Sequence, residues 1–452
     1  MKQHRLACAI TLTLLFTGCS TTTTRPGEAT LRDTVTQAGV GAPRLPIAGE
    51  NYLDAEWFKQ PLTVERAVQA ALLNNPRVRS ELSRLDAAQA ERVQTGLLRN
   101  PMATLMALRP DGGGRYELDY SLMQNLFDLF TRSRRVAVAD AAQRRIEADV
   151  AMQLVAVAQD TEAAWYELQV AEQTLRVQQQ LEDLASEQLT LIQRNAQQGA
   201  LPASAVLEQQ ATASKRSHEV RMTEAVALQA RALLAQQLGL ASASGITLPE
   251  NIPPVVLSAL DETSLHALAM QHRADLQAAL ANVDQARAER ELQTGALRAT
   301  EPSLGVAGTR ESGGLNLVGP SLQISLPIFD TGRARRDLAN AQVAQAEFNA
   351  DSVRRQVPLD IERALGTLIF AQLGLDHAEH HLHQQELLER LTEHSYRQGA
   401  SDLLTYRMAT QARLQSTLER IQAQQSQWAA VVALERATGV AASVAGHAII
   451  TQ

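Results

Sequence analysis

From Arg132 to Gln198 the chain contains neither glycine nor proline. A run of that kind predicts one uninterrupted helix, and at 1.5 Å per residue it reaches about 100 Å. Such a rod cannot be covered by a single compact core and needs neighbours along its whole length. Val177, Leu181, Leu184 and Leu191 keep a 4-3-7 spacing, which is a coiled-coil seam. Gly199 and Pro202 end the run, and a second helical stretch from about Ser204 to Leu238 is near 50 Å long. Aromatic residues make up only 4% of the 452, which fits thin layers of helices better than a thick core.

The chain then repeats itself at a shift of 200. Leu126, Thr131 and Arg135 align with Leu326, Thr331 and Arg335. Gln198-Gly199-Ala200 aligns with Gln398-Gly399-Ala400, and Gly239 with Gly439. Upstream, Thr95-Gly96 and Pro101 meet Thr294-Gly295 and Pro302, one residue off register. The reading is two repeats, at 62–240 and 263–440, joined by a proline-bearing segment at 241–262 and followed by a tail at 441–452. Repeat one has a hairpin at 101–127, a long helix at 132–198 and a return helix at 204–238. In repeat two the same parts fall at 303–327, 333–398 and 403–437. Short helices at about Thr63–Leu73 and Val78–Leu98 precede the first hairpin, and one at about Leu276–Leu297 precedes the second. Pro358 predicts a kink in the second long helix. Leu414, Leu418, Ile421, Trp428 and Val432 form a second seam, with Gln425 within it.

Each hairpin has one greasy and one wet face. Tyr116, Leu118, Tyr120 and Leu122 alternate with Glu117, Asp119 and Ser121; Leu322, Ile324 and Leu326 alternate with Ser321, Gln323 and Ser325. The apolar sets are expected to face lipid, and Glu117, Asp119, Ser321, Gln323 and Ser325 to line a pore, where the two acids favour cations. Four strands cannot close a barrel, and an open edge is not tolerated in lipid. The strands therefore need other copies, as do the helices.

The N-terminus reads as an export signal. Lys2 and Arg5 precede the apolar run Leu6–Phe16, too short to span a bilayer, so 1–18 is taken as a signal peptide. Leu15-Phe16-Thr17-Gly18-Cys19 resembles a bacterial lipobox, which makes Cys19 the acylated residue and 19–61 a lipidated tether. With Cys8 removed, Cys19 has no disulfide partner. A net charge of −7 argues against a nucleic-acid partner.

The stretch from about Leu62 to Val440 resembles the TolC-like outer-membrane factors, the outer membrane efflux protein family. The duplicated hairpin-plus-long-helix plan carries the resemblance, as does Pro327-Ile328-Phe329-Asp330-Thr331-Gly332-Arg333 at the strand-to-helix passage. The first copy departs from that motif, with Phe127 in place of the proline and Arg132 in place of the glycine. The family often has Asp-Val-Leu after the helix reversal; here Ala205-Val206-Leu207 and Thr405-Tyr406-Arg407 stand instead. The resemblance implies a mainly α fold with a small membrane β-barrel: a homotrimer whose twelve-stranded barrel continues into an α-helical coiled-coil tunnel. It also implies an outer-membrane location, a periplasmic adaptor, an inner-membrane pump and no cofactor. The lipid-anchored branch includes drug and heavy-metal cation efflux members.

Catalytic signals are lacking: there is no HExxH pair, P-loop or nucleophile elbow. His377, His380 and His381 stand at i, i+3 and i+4 and could hold a metal ion, against the plainer reading of a solvated helix face. The helix reversals at Gly199, Ala200 and Ala205 and at Gly399, Ala400 and Thr405 are the candidate adaptor contacts and gate. An export duct for metal cations or drugs is the favoured function. The competing one is a lipid-anchored periplasmic coiled-coil scaffold without a pore, which would have no use for an apolar hairpin face.

Overall fold

The computed structural model describes residues 31–33, 36, 45, 57–109, 111–250, 261–294, 302–326 and 328–440. The signal segment, Cys19, most of the tether, Pro253, Pro254, Pro327 and the tail lie outside the described residues.

Local capping sets the first elements. Thr63 caps α1 (Val64–Asn74), its hydroxyl accepting from Arg66 N, and Asn75 caps α2 (Pro76–Gly96), with Pro76 in the first turn where no N–H is missed. Strands β1 (Met102–Leu108) and β2 (Glu117–Asn125) follow, then α3 (Phe127–Gln197) and α4 (Ala203–Gln237). Helices α5 (Glu262–His272) and α6 (Ala274–Gln293) lead into β3 (Ser303–Arg310) and β4 (Asn316–Gln323). The chain closes with α7 (Arg333–Arg397) and α8 (Leu403–Thr438). The four strands make one antiparallel sheet in the order β1-β2-β3-β4, so β1 and β4 are its two edges.

The long helix α3 is the post of the chain. Along one stretch it packs on α2 and α6, where Arg92 pairs with Asp140 and Arg145 with Gln285. Further on it packs on α4, where Arg231 pairs with Glu172. The two shorter helices thus divide its length between them. Trp165 of α3 is fully buried and its indole N–H donates to Leu62 O at 2.7 Å. Burying such a side chain contributes about 2–3 kcal/mol. The heptad seam of α3 does not meet its own return helix: Val177, Leu181 and Leu184 cluster with Leu414, Leu418 and Ile421 of α8, so the seams of the two repeats pair with each other. Gln425 is exposed, whereas Gln427, two positions on, is buried and donates to Gln372 of α7.

Both return helices end on a left-handed glycine pressed against backbone. Gly239 has φ +68°, and a Cβ there would stand 2.7 Å from Asn74 O. Gly439 has φ +74°, with His272 O at 2.8 Å from such a Cβ. Asn74 and Asn75 cap the first of these ends by donating to Leu238 O and Gln237 O at 2.9 and 2.8 Å. Beside the second, the Arg273 side chain bonds Asp275 and Asp360.

Two boundaries differ from expectation. Helix α3 starts at Phe127, not near 132, because Asp128 in its first turn has partners distant in sequence (below). Strand β4 stops at Gln323, not Leu326: Gln323 pairs with Ser303, the first residue of β3, and the preceding Pro302 has no N–H to extend the ladder. Pro358, the residue expected to kink the second long helix, lies inside α7.

Candidate functional site: the sheet, its junctions and the helix tips

The register sorts the sheet into two faces. Leu105, Tyr120 and Gly308 stand across from one another, as do Leu122, Val306 and Pro320, so one face is apolar over all four strands. The opposite face carries Thr104, Ser121, Asp119 and Thr309. Glu117, Asp119, Ser321 and Gln323 all belong to this polar face, and Leu118, Tyr120, Leu122 and Leu322 to the apolar one. Thr309 Oγ1 donates to Asp119 Oδ1 at 2.7 Å. Tyr116 lies just before β2, and Ile324, Ser325 and Leu326 lie beyond β4, so these four are not strand residues. Proline occurs in the sheet only on edge strand β4, at Pro320, where a ladder N–H can be spared.

Below the sheet each repeat turns strand into helix by a different device. In repeat one Asp128 is 0% exposed and accepts from both Arg99 Nε and Arg99 Nη2, at 2.8 and 2.9 Å, with Arg135 Nη2 3.6 Å from its Oδ1. The Arg99 hydrogen bonds hold its carboxyl below the usual range, against the opposing pull of burial. In repeat two Asp330 is exposed, accepts from Gly332 N at 2.9 Å and pairs with Arg335; Gly332, at φ +75°, caps α7. Phe329 beside it is 99% exposed. Sequence reasoning missed Asp128. The available signal was a lone acid inside the apolar run Leu126–Phe130.

At the far end, Gly199 (φ +77°) and Gly399 (φ +71°) reverse the two helix pairs, and Ala200 N and Ala400 N close the turns on Asn195 O and Ser395 O, each at 2.9 Å. Ala205 N donates to Pro202 O at 3.1 Å in the uncapped first turn of α4. Thr405 N donates to Asp402, which caps α8. Tyr396 and Tyr406 stack at 6.1 Å across the second tip, and Arg407 of α8 bonds Glu187 of α3 at 2.7 Å, tying the two tips together.

The histidines of α7 do not converge. His381 turns toward α8, its Nδ1 2.9 Å from Glu419 Oε2, while His377 and His380 point to solvent. Among the described residues no group of three or more His, Cys, Asp or Glu could hold a metal ion. The i, i+3, i+4 spacing was real, but α8 claims one member of the set. Among the same residues no helix is long and apolar enough to cross a membrane.

Comparison with known proteins agrees with this geometry. Residues 265–440 match the family model described as outer membrane efflux protein. Protein CyaE of Bordetella pertussis is 30% identical over 342 residues, which cover 68% of this chain and 69% of that protein. The chain belongs to the outer membrane efflux protein family. The CmeC outer membrane channel of Campylobacter jejuni superposes with a TM-score of 0.69 at 16% identity, covering 89% of this chain and 94% of that one. A membrane protein of Pseudomonas aeruginosa gives 0.67 at 21% identity, covering 88% and 98%. The protein is an outer membrane efflux protein.

Proposed function

We propose that three copies of this chain close their sheets into a twelve-stranded barrel and bundle their helices into one tunnel, forming the passive exit duct of a tripartite pump. The observation that carries this reading is the four-stranded sheet itself. It has one apolar face, an opposite face that carries Glu117, Asp119, Ser321 and Gln323, and two unpaired edges; β2 leads directly into α3, and nine residues separate β4 from α7. Pairing β4 of one copy with β1 of the next satisfies both edges at once. Leu118, Tyr120, Leu122 and Leu322 then face lipid, and Glu117, Asp119, Ser321 and Gln323 face the pore. Cys19, acylated after removal of 1–18, tethers each copy to the membrane. The tips at Gly199–Ala205 and Gly399–Thr405 receive a periplasmic adaptor, which brings cargo such as metal cations or drugs from an inner-membrane pump. The chain serves as a conduit and not as an enzyme.

Planar-bilayer conductance of the purified protein tests the duct. Cation-preferring channels are expected, with the preference reduced by Glu117→Gln with Asp119→Asn. A protein that is soluble without detergent once Cys19→Ala is introduced, and that conducts nothing, would instead be a scaffold. Crosslinking from Ala200 and Ala400 to an adaptor tests the tips, and failure from both positions would remove the docking assignment.

A further inference from the structure

Where the sheet gives way to helices, Asn125, Ser303 and Gln323 lie level with one another, and both junctions leave from that end. Each junction passes through exposed apolar side chains and then through arginines. In repeat one Leu129 and Phe130 are followed by Arg132 and Arg134; in repeat two Ile328 and Phe329 are followed by Arg333, Arg335 and Arg336. Phe130 is 65% exposed, and Arg134 stands at i+4 from it on one face of α3, about 6 Å further from the sheet. Arg333 and Arg336, at i and i+3, share a face at the start of α7.

The fold uses few of these charges. Arg134 and Arg336 are exposed and have no ion-pair partner among the described residues. Arg132 donates through Nε to a carbonyl, Gly96 O, at 2.9 Å. Arg333 reaches Asp337 only at 3.9 Å, with both side chains exposed, and Arg335 alone is tightly paired, with Asp330. Helix α7 also has three cations among its first four residues and no acid in its first turn, where the macrodipole favours the opposite sign. A chain of net charge −7 therefore gathers unpaired positive charge at one level, in both repeats. A rotational neighbour presents the same arginines at that level, so a second copy would not neutralise them.

We infer that the two junctions form a collar for the headgroups of anionic phospholipid, with Phe130 and Phe329 at the acyl boundary and Arg134, Arg333 and Arg336 on the phosphates. The inference rests on the proposed duct, which sets the helices on the periplasmic side and so brings phospholipid to this level. Leaving the sheet, the chain meets apolar side chains first and guanidinium groups about one turn later, the order in which a leaflet presents its acyl chains and its phosphates. The guanidinium fork suits a phosphate, which can accept two N–H bonds from it.

Native mass spectrometry of the full-length assembled protein in detergent, with dioleoyl phosphatidylglycerol or dioleoyl phosphatidylcholine added, tests the collar by the lipid it retains. The wild type should hold phosphatidylglycerol roughly 100-fold more tightly than phosphatidylcholine, the advantage expected of three arginines beside an anionic headgroup. Arg134→Gln with Arg333→Gln and Arg336→Gln should erase that preference and leave phosphatidylcholine binding unchanged. Removing three exposed arginines further along α7, by Arg354→Gln with Arg355→Gln and Arg390→Gln, should preserve it. A wild type without the preference, or an equal loss in both variants, would overturn the collar. Dissociation of the junction variant into single chains would also overturn it, by assigning the surface to contact between copies. Planar-bilayer conductance separates this outcome from that of the duct: a wild type that conducts without lipid preference loses the collar alone, and one that prefers phosphatidylglycerol without conducting loses the duct alone.

Discussion

The two long helices are near copies in length, 71 and 65 residues, yet they live in different surroundings. Helix α3 buries 24 of its residues inside its own chain, against α1, α2, α4, α6 and α8; α7 buries 10, against α5, α6 and α8. Along α7 the side chains of Phe348, Ile369, Phe370 and Leu391 stand exposed, Phe370 at 74%. A duplicated unit has thus divided its labour. Repeat one holds the chain together, and repeat two keeps an exposed apolar flank, the one that the proposed assembly would cover. The strand-to-helix junctions differ in the same sense, a buried ion pair at Asp128 against a solvent-exposed turn at Asp330.

The sharpest way to break this asymmetry is in the seam. Leu181→Ala removes a buried side chain shared by both repeats and should cost about 2–5 kcal/mol, seen as a lowered midpoint of heat unfolding. Phe370→Ser with Leu373→Ser should leave helical content intact and shift the protein from assembled to dissociated on size exclusion in detergent. Equal effects from both substitutions would erase the distinction between the helices. At the junctions, Asp128→Ala should cost about 2–3 kcal/mol, below the full figure for a buried pair because Arg99 can reach water. Asp330→Ala should move the same midpoint far less. Gly439→Ala should lose about 1–2 kcal/mol from left-handed strain and more from the contact with His272 O, matched at Gly239 by the same change.

The smallest expected effect is on pH. Burial raises the Asp360 pKa, but hydrogen bonds from Gln356 and Arg273 outweigh this and hold it below 3.8. Its contribution is present at neutral pH and lost as pH falls through that depressed value. Asp360→Asn should therefore flatten the acid limb of a stability profile below about pH 4 without altering the alkaline side.

Much of this plan was legible because helices announce themselves locally. The run without glycine or proline, the offset of 200 and the glycines at 199, 239, 399 and 439 each constrain a few neighbouring residues, and short-range chemistry sufficed. The misplaced features all depend on partners far away in the chain. The start of α3 rests on Arg99, the end of β4 on where β3 begins, and the fate of His381 on Glu419. A heptad pattern shows that a seam exists but not which seam it meets; α3 and α8 found each other across more than half the sequence. The family model matches only repeat two, which agrees with the worn motif at Phe127 and Arg132 in repeat one.

The order β1-β2-β3-β4 has a consequence for biogenesis. In the barrel proposed above, a sheet with two bare edges has no stable resting place in a bilayer as a single chain, and insertion and assembly become one collective event. The rate at which active protein appears should then climb more steeply than in proportion to the amount of chain present. Below some concentration, chains should wait at the membrane surface, helical but not yet inserted, until enough neighbours arrive.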